Sequence, residues 1–202
     1  MKKIALGLLI LPLLFLMPST GKAQAWSKDS KVLSLGIGGS NFWYFGNNRR
    51  VVTTIGGVPV YARYNYGWAT TGQLNFQGEF GIHDYVGLGF TTGFGGRPGL
   101  YYANSGLVNF PIGMIANFHF YQLIADKTGK NIHADKLDIY GGVSIGSGIG
   151  AIFFDNDDAI VTPIIFGGPH VGIRYYFKPK VAVNGEFGWG KSWINAGFSF
   201  KL

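Results

Sequence analysis

The feature that most constrains this chain is period-two alternation of apolar and small or polar residues, repeated eight times. Strict alternation places successive side chains on opposite faces of a strand. The run at Val32–Gly39 sets Leu33, Leu35 and Ile37 against Ser34, Gly36 and Gly38. The run at Gly72–Ile82 sets Leu74, Phe76, Phe80 and Ile82 against Gln73, Asn75, Gln77 and Glu79. Similar runs follow over 86–94, 108–120, 137–149, 164–177, 181–190 and 193–202. Most are about ten residues long, the length a tilted strand needs to cross an outer membrane.

Low charge narrows the choice further. Charged residues make up only 13% of the chain, about half the share usual in a soluble domain. No run after the N-terminus reads as a spanning helix, so a closed barrel is the membrane solution that remains. The predicted fold is all-β, an eight-stranded antiparallel up-and-down transmembrane barrel. Its Leu, Ile, Val and Phe face should meet lipid, and its Gly, Ser, Asn and Gln face should fill the interior. A soluble lipocalin would reverse the faces, but its outer face would carry many Lys and Glu.

The N-terminus supplies the address. Met1-Lys2-Lys3, the apolar run Ile4–Met17 and the triplet Ala23-Gln24-Ala25 form a secretory signal peptide. Residues 1–25 are expected to leave, and 26–202 to form the barrel domain. Lys2, Lys3 and Lys22 go with the signal, so 14 basic residues face 10 acidic ones and the processed chain carries a mild +4. The basic residues are scattered, which speaks against a nucleic-acid partner. There is no cysteine, so neither disulfides nor a lipidated N-terminal cysteine are available.

With the N-terminus on the inner side, the inner connections are His83-Asp84, 121–136 and Lys178-Pro179-Lys180. The outer ones are 40–71, 95–106, 150–163 and a tight turn at Gly190-Lys191-Ser192. Within the long first outer loop, Val51–Ile55, Gly56-Gly57 and Val58–Tyr64 read as a hairpin. Counting that hairpin into the wall would give ten strands, but Val51–Ile55 is too short to cross. Trp68, Tyr66, Trp189 and Trp193 fall near the outer rim, and Tyr85, Tyr121, Tyr175 and Phe177 near the inner one, as interface belts do.

Three inward charges stand out: Glu79, Arg174 and Glu186. Arg174 and Glu186 lie on strands joined by a short turn and are expected to pair, with Glu79 completing a lumen network. A lone buried charge is costly, so pairing is expected. The four histidines, His83, His119, His133 and His170, are too scattered for a metal site. Only His170 is placed inward toward the outer rim, and no Ser and acid accompany it. Neither a catalytic residue nor a cofactor or metal site is assigned. Asp155-Asn156-Asp157-Asp158 reads as a solvated loop tip. Phe42, Trp43, Tyr44, Arg49 and Arg50 form a candidate contact surface, since exposed aromatics beside Arg favour binding, and they read equally well as rim anchors.

Several segments then carry a resemblance. They are Pro111-Ile112-Gly113 leading to Asn117-Phe118-His119-Phe120, and Leu137-Asp138-Ile139-Tyr140-Gly141-Gly142. Gly172–Phe177, Asn184–Gly188 and the closing Asn195–Leu202 continue it. Together they resemble the small outer-membrane β-barrel family, the OmpA-like and OmpX-like barrels. The closing segment resembles the signal read by the barrel-assembly machinery, though it ends on Leu202 rather than Phe. The resemblance implies an integral outer-membrane location, contact with lipid and lipopolysaccharide, and periplasmic chaperones during biogenesis. It implies a monomer and does not assign a reaction. The expected function is a non-enzymatic, side-chain-plugged barrel with outer loops as binding or structural elements. A narrow channel and a lipid-modifying enzyme are the alternatives.

Overall fold

The computed structural model describes residues 24–45, 49–55, 58–63, 68–98, 106–130, 132–153 and 159–202. The signal-peptide residues 1–23, Gly56-Gly57, Tyr66, the acidic tip at 155–158 and the side chains of Arg49 and Arg50 lie outside the described residues.

The eight predicted runs are eight wall strands. In chain order, the strands are β1 (Lys31–Tyr44), β2 (Arg49–Ile55), β3 (Val58–Arg63), β4 (Trp68–His83), β5 (Val86–Pro98) and β6 (Gly106–Phe118). They continue as β7 (Leu137–Phe153), β8 (Ile160–Lys178), β9 (Val181–Gly188) and β10 (Ile194–Lys201). β1 and β4–β10 form a closed ring in which β1 pairs antiparallel with both β4 and β10. β2 and β3 form a separate two-stranded sheet, so the hairpin does not enter the wall.

The alternation sorts the faces as physical chemistry requires. Ile37, Ile112, Met114 and Ile145 are each at least 64% exposed. In water such a surface would be an aggregation hazard; against lipid it is the correct exterior. Ser34, Asn75, Gln77 and Asn117 are buried on the other face and make hydrogen bonds inside the barrel. Ser34 and Ser199 share a hydroxyl hydrogen bond of 2.7 Å, and Asn75 donates to Asn195 at 3.1 Å.

Many inner glycines make room for rings. A Cβ on Gly172 would fall 2.2 Å from the Tyr140 ring, and one on Gly146 2.4 Å from the Phe166 ring. Eight strands leave an interior that side chains just fill, so each large ring needs a position without one opposite.

The outer end departs from a plain eight-strand cylinder. β9 and β10 are only 8 residues each, whereas β1 has 14 and β8 has 19. Above the β9–β10 turn, β1 and β8 pair directly through Trp43↔Ile165 and Tyr44↔Ile164. The ring therefore narrows from eight strands to six. The turn expected as a surface loop is instead drawn inward, with Lys191 and Ser192 both 3% exposed. Backbone bonds from Trp193 to Gly39 and from Trp189 to Pro169 hold it on both sides.

At the inner end, the long connection between β6 and β7 contains a helix, α1 (Phe120–Thr128). Gly129 stops it in the left-handed conformation at φ 61°, donating back to the Ala125 carbonyl, as glycine does past a helix end. Gln122 and Ala125 are its buried residues. The Tyr85 hydroxyl is held above its ordinary pKa by its hydrogen bond to Asp126, which ties α1 to the β4–β5 turn. The N-terminal segment completes the floor: Ala25 donates to the Ala134 carbonyl, and Trp26 is fully buried.

Candidate functional site

The inner face of the lower barrel gathers its charge into one closed ring of contacts. Glu79 comes from β4, Asp138 from β7 and Arg174 from β8, all at inward positions. His119 follows β6 at the floor. Arg174 donates through Nη2 to Glu79 Oε2 at 2.5 Å and through Nη1 to Asp138 Oδ2 at 3.2 Å. His119 faces the other oxygens, with Nε2 3.0 Å from Glu79 Oε1 and Nδ1 2.7 Å from Asp138 Oδ1. Two cations thus alternate with two carboxylates. A carboxylate can only accept, so both ring nitrogens of His119 must donate and the ring is an imidazolium.

The surroundings hold that charge state. Burial works against the His119 cation, but hydrogen bonds and charge from Asp138 and Glu79 outweigh it and raise its pKa above the ordinary 6.5. The Trp26 indole stacks on the imidazole at 3.6 Å and 6°, which favours a cation over an aromatic face. The Arg174 guanidinium lies 4.4 Å from the Tyr140 ring centroid. Asn117 donates to Glu79 Oε1 at 2.8 Å.

A second pair sits higher. Glu186 accepts from the Tyr140 hydroxyl at 2.9 Å and forms an ion pair with Lys191. Lys191 also donates to Gln77, and its backbone N–H donates to Ser144 Oγ at 3.0 Å. The inward hairpin tip therefore delivers a lysine to a buried carboxylate.

This corrects the expected Arg174–Glu186 pair. The β8–β9 register places Arg174 opposite Asn184, and Glu186 opposite Gly172. Two residues of offset along a strand amount to roughly 7 Å, so Arg174 turns to Glu79 and Asp138. Glu79 does meet Arg174 across the lumen. The sequence alone does not mark Asp138, His119 and Lys191 as partners. Asp138 and His119 carried a usable signal, an inward position in the alternation; Lys191, in a turn, carried none.

Above this region an apolar cluster joins buried polar residues such as Thr71, Asn109 and Thr162 on the inner face. Phe42, Tyr44, Ala69, Leu107, Ile152, Ile164 and Phe166 form a buried cluster inside the six-stranded end. Phe42 and Phe166 meet edge to face at 5.6 Å. Phe42 and Tyr44, expected on a contact surface, are thus inward residues of β1 and are removed from it. Their neighbour Trp43 is 54% exposed. It stacks with Trp68 at 6.3 Å, and Trp68 lies 6.3 Å from Trp193, which lies 5.1 Å from Trp189. These four form a continuous patch on one side of the outer rim. At the inner rim Tyr175 and Phe177 are about half exposed.

His170 lies inward, with Nε2 2.8 Å from Asn117 Oδ1. Neither a serine nor a carboxylate hydrogen-bonds to it among the contacts of the described residues, so a nucleophile–base pair is not assembled there. No group of three potential ligands suited to a metal occurs among the described residues.

No protein-family model matches the chain, and no curated protein matches it in sequence. Solved structures do match in fold. Neisserial surface protein A (NspA) aligns over 86% of this chain and 97% of its own, at a TM-score of 0.51 and 13% identity. The outer membrane protein OprG from Pseudomonas aeruginosa aligns over 87% and 98%, at a TM-score of 0.51 and 12% identity. At that identity the likeness concerns the fold. The architecture implied by the OmpA-like and OmpX-like resemblance is the one found: an integral β-barrel of the outer-membrane type, with its apolar face outward.

Proposed function

We propose that this chain is a non-enzymatic, non-conducting barrel of the outer membrane, whose role is carried by what it presents at its outer end. The observation that supports this reading is that paired charges and an apolar cluster occupy the lumen at two different heights. The charge-balanced ring of Glu79, Arg174, Asp138 and His119 fills the lower half. The apolar cluster around Phe42 and Phe166 fills the six-stranded upper end. An ion would have to displace paired charges and then pass the bulky apolar side chains of that cluster, and each step carries a large desolvation cost.

The contact surface is then the outer end itself. It comprises Trp43 and its neighbouring tryptophans, together with the β2–β3 hairpin that carries Arg49 and Arg50. Lipopolysaccharide and outer-membrane lipid are the expected surroundings, and the barrel works as a monomer. Assembly draws on periplasmic chaperones and the barrel-assembly machinery, which reads the closing strand.

Planar-bilayer recording on the refolded barrel tests the sealed interior. Silent membranes at protein loads where an open porin gives unitary steps are the expected result. Regular conductance steps abolished by narrowing the lumen would reject it. A narrow path is the second reading, favoured by Gln73, Asn109 and His170, which keep buried polar atoms without hydrogen-bond partners among the described residues.

A further inference from the structure

The inner mouth holds a cavity of about 460 Å³ that neither lumen network uses. It lies where the N-terminal segment, the β8–β9 turn and the end of β10 meet. Five lysines line it: Lys28, Lys136, Lys178, Lys180 and Lys201. They outnumber Asp29, Asp135 and the main-chain carboxylate of Leu202, so the walls are net positive. A concave site with low-dielectric walls of one sign concentrates counter-charge.

A second observation is independent of the lysines. Tyr176 lines the same cavity and is 3% exposed, and its hydroxyl has no hydrogen-bond partner among the described residues. Buried hydroxyls are ordinarily bonded. One left without a partner beside a cationic cavity fits an acceptor-rich ligand.

We propose that this cavity binds a phosphate ester. A phosphate offers several strong acceptor oxygens to convergent donors, and lysine serves it as a point charge. The next residue along β8, Phe177, is half exposed on the lipid-facing side. The cavity therefore opens beside the apolar belt, where the headgroups of the inner leaflet lie, and it is also reachable from the aqueous side.

Removal of the signal segment strengthens the site. Lys201 Nζ donates to the Gln24 carbonyl at 2.5 Å and reaches the Ala25 carbonyl at 3.5 Å. Both carbonyls leave if processing follows Ala25. The Lys201 ammonium is then released toward the cavity, and the new amino group of Trp26 adds a further positive charge at the inner mouth. The lysine excess holds with or without that step.

The test uses the full processed barrel, folded as judged by heat-modifiability. In one arm, glycerol phosphate is titrated calorimetrically in neutral detergent. In the other, native mass spectrometry counts phosphatidylglycerol retained from phosphatidylcholine nanodiscs. Binding in the lipid arm alone assigns a headgroup, and binding in both assigns a phosphate of either source. The paired change Lys178→Gln with Lys180→Gln should weaken binding by about tenfold or more, and Tyr176→Phe should weaken it several-fold. The pair Lys127→Gln with Lys130→Gln, at the end of α1 and outside the cavity, should leave it unchanged. No binding in either arm overturns the proposal. So does equal weakening by both lysine pairs, which would mean diffuse charge at the inner rim rather than a site.

Discussion

Replacing Arg174 by Met tests how the lower lumen is held together. Arg174 is fully buried and supplies two charge-assisted hydrogen bonds, to Glu79 and Asp138. Without it the ring holds two carboxylates against the single cation of His119, an uncompensated buried charge. Bonds to charged groups contribute about 1.5–3 kcal/mol each, and breaking a buried pair by removing one partner costs about 3–5 kcal/mol. That corresponds to roughly two to four decades in the folding equilibrium. Reversible urea unfolding in lipid vesicles, followed by tryptophan fluorescence, measures the change. The decisive variant adds Glu79→Gln, which restores one negative charge against one positive. The Gln oxygen can still accept from Asn117 and His119, so the double variant should be more stable than Arg174→Met alone. A double-mutant cycle should return a coupling of about 2 kcal/mol or more. If Arg174→Met costs under about 1 kcal/mol, or the cycle returns no coupling, the reading of a charge-balanced ring is wrong.

Three further outcomes follow from the same geometry. Lys191→Met should destabilise the barrel by about 2–4 kcal/mol, and adding Glu186→Gln should recover much of it, because the loss comes from stranding a carboxylate; the same urea series reads both. The stability contributed by His119 should be fully present below its ordinary pKa of about 6.5 and be lost as pH rises through its raised folded value. His119→Gln should flatten the slope of unfolding midpoint against pH above that point. Gly197→Val should block barrel closure, since a Cβ there falls within 1.9 Å of the Leu35 carbonyl oxygen across the β1–β10 seam; loss of the heat-modifiable band on a detergent gel is the readout.

Much of the fold was legible because a strand's side-chain period is local. Leu74, Phe76 and Phe80 announce an outward face, and Gln73, Asn75 and Gln77 an inward one, without reference to any other strand. Eight such runs determined the strand number, the orientation of the faces and the short inner turn at Lys178-Pro179-Lys180. The same logic placed Glu79, Arg174 and Glu186 inside. It also placed Asp138 and His119 inside, although only their three-dimensional neighbours reveal them as partners.

What only the tertiary structure decided depends on long-range register. Glu79 and Arg174 are 95 residues apart in the chain, and a two-residue offset between β8 and β9 redirects Arg174 from Glu186 to Asp138. Such a register is set jointly by the turns and pairings around the closed ring, so no segment encodes it alone. The narrowing from eight strands to six arises because β1 and β8 outlast the β9–β10 hairpin and meet above it. Phe42 and Tyr44 point inward because β1 keeps its alternation up to that meeting, and the hairpin tip brings Lys191 to Glu186. The alternation determined which faces meet lipid and which fill the lumen. Ring closure decided which charges pair and which side chains meet inside the lumen, because both depend on relative heights of strands that neighbour each other only once the ring is complete.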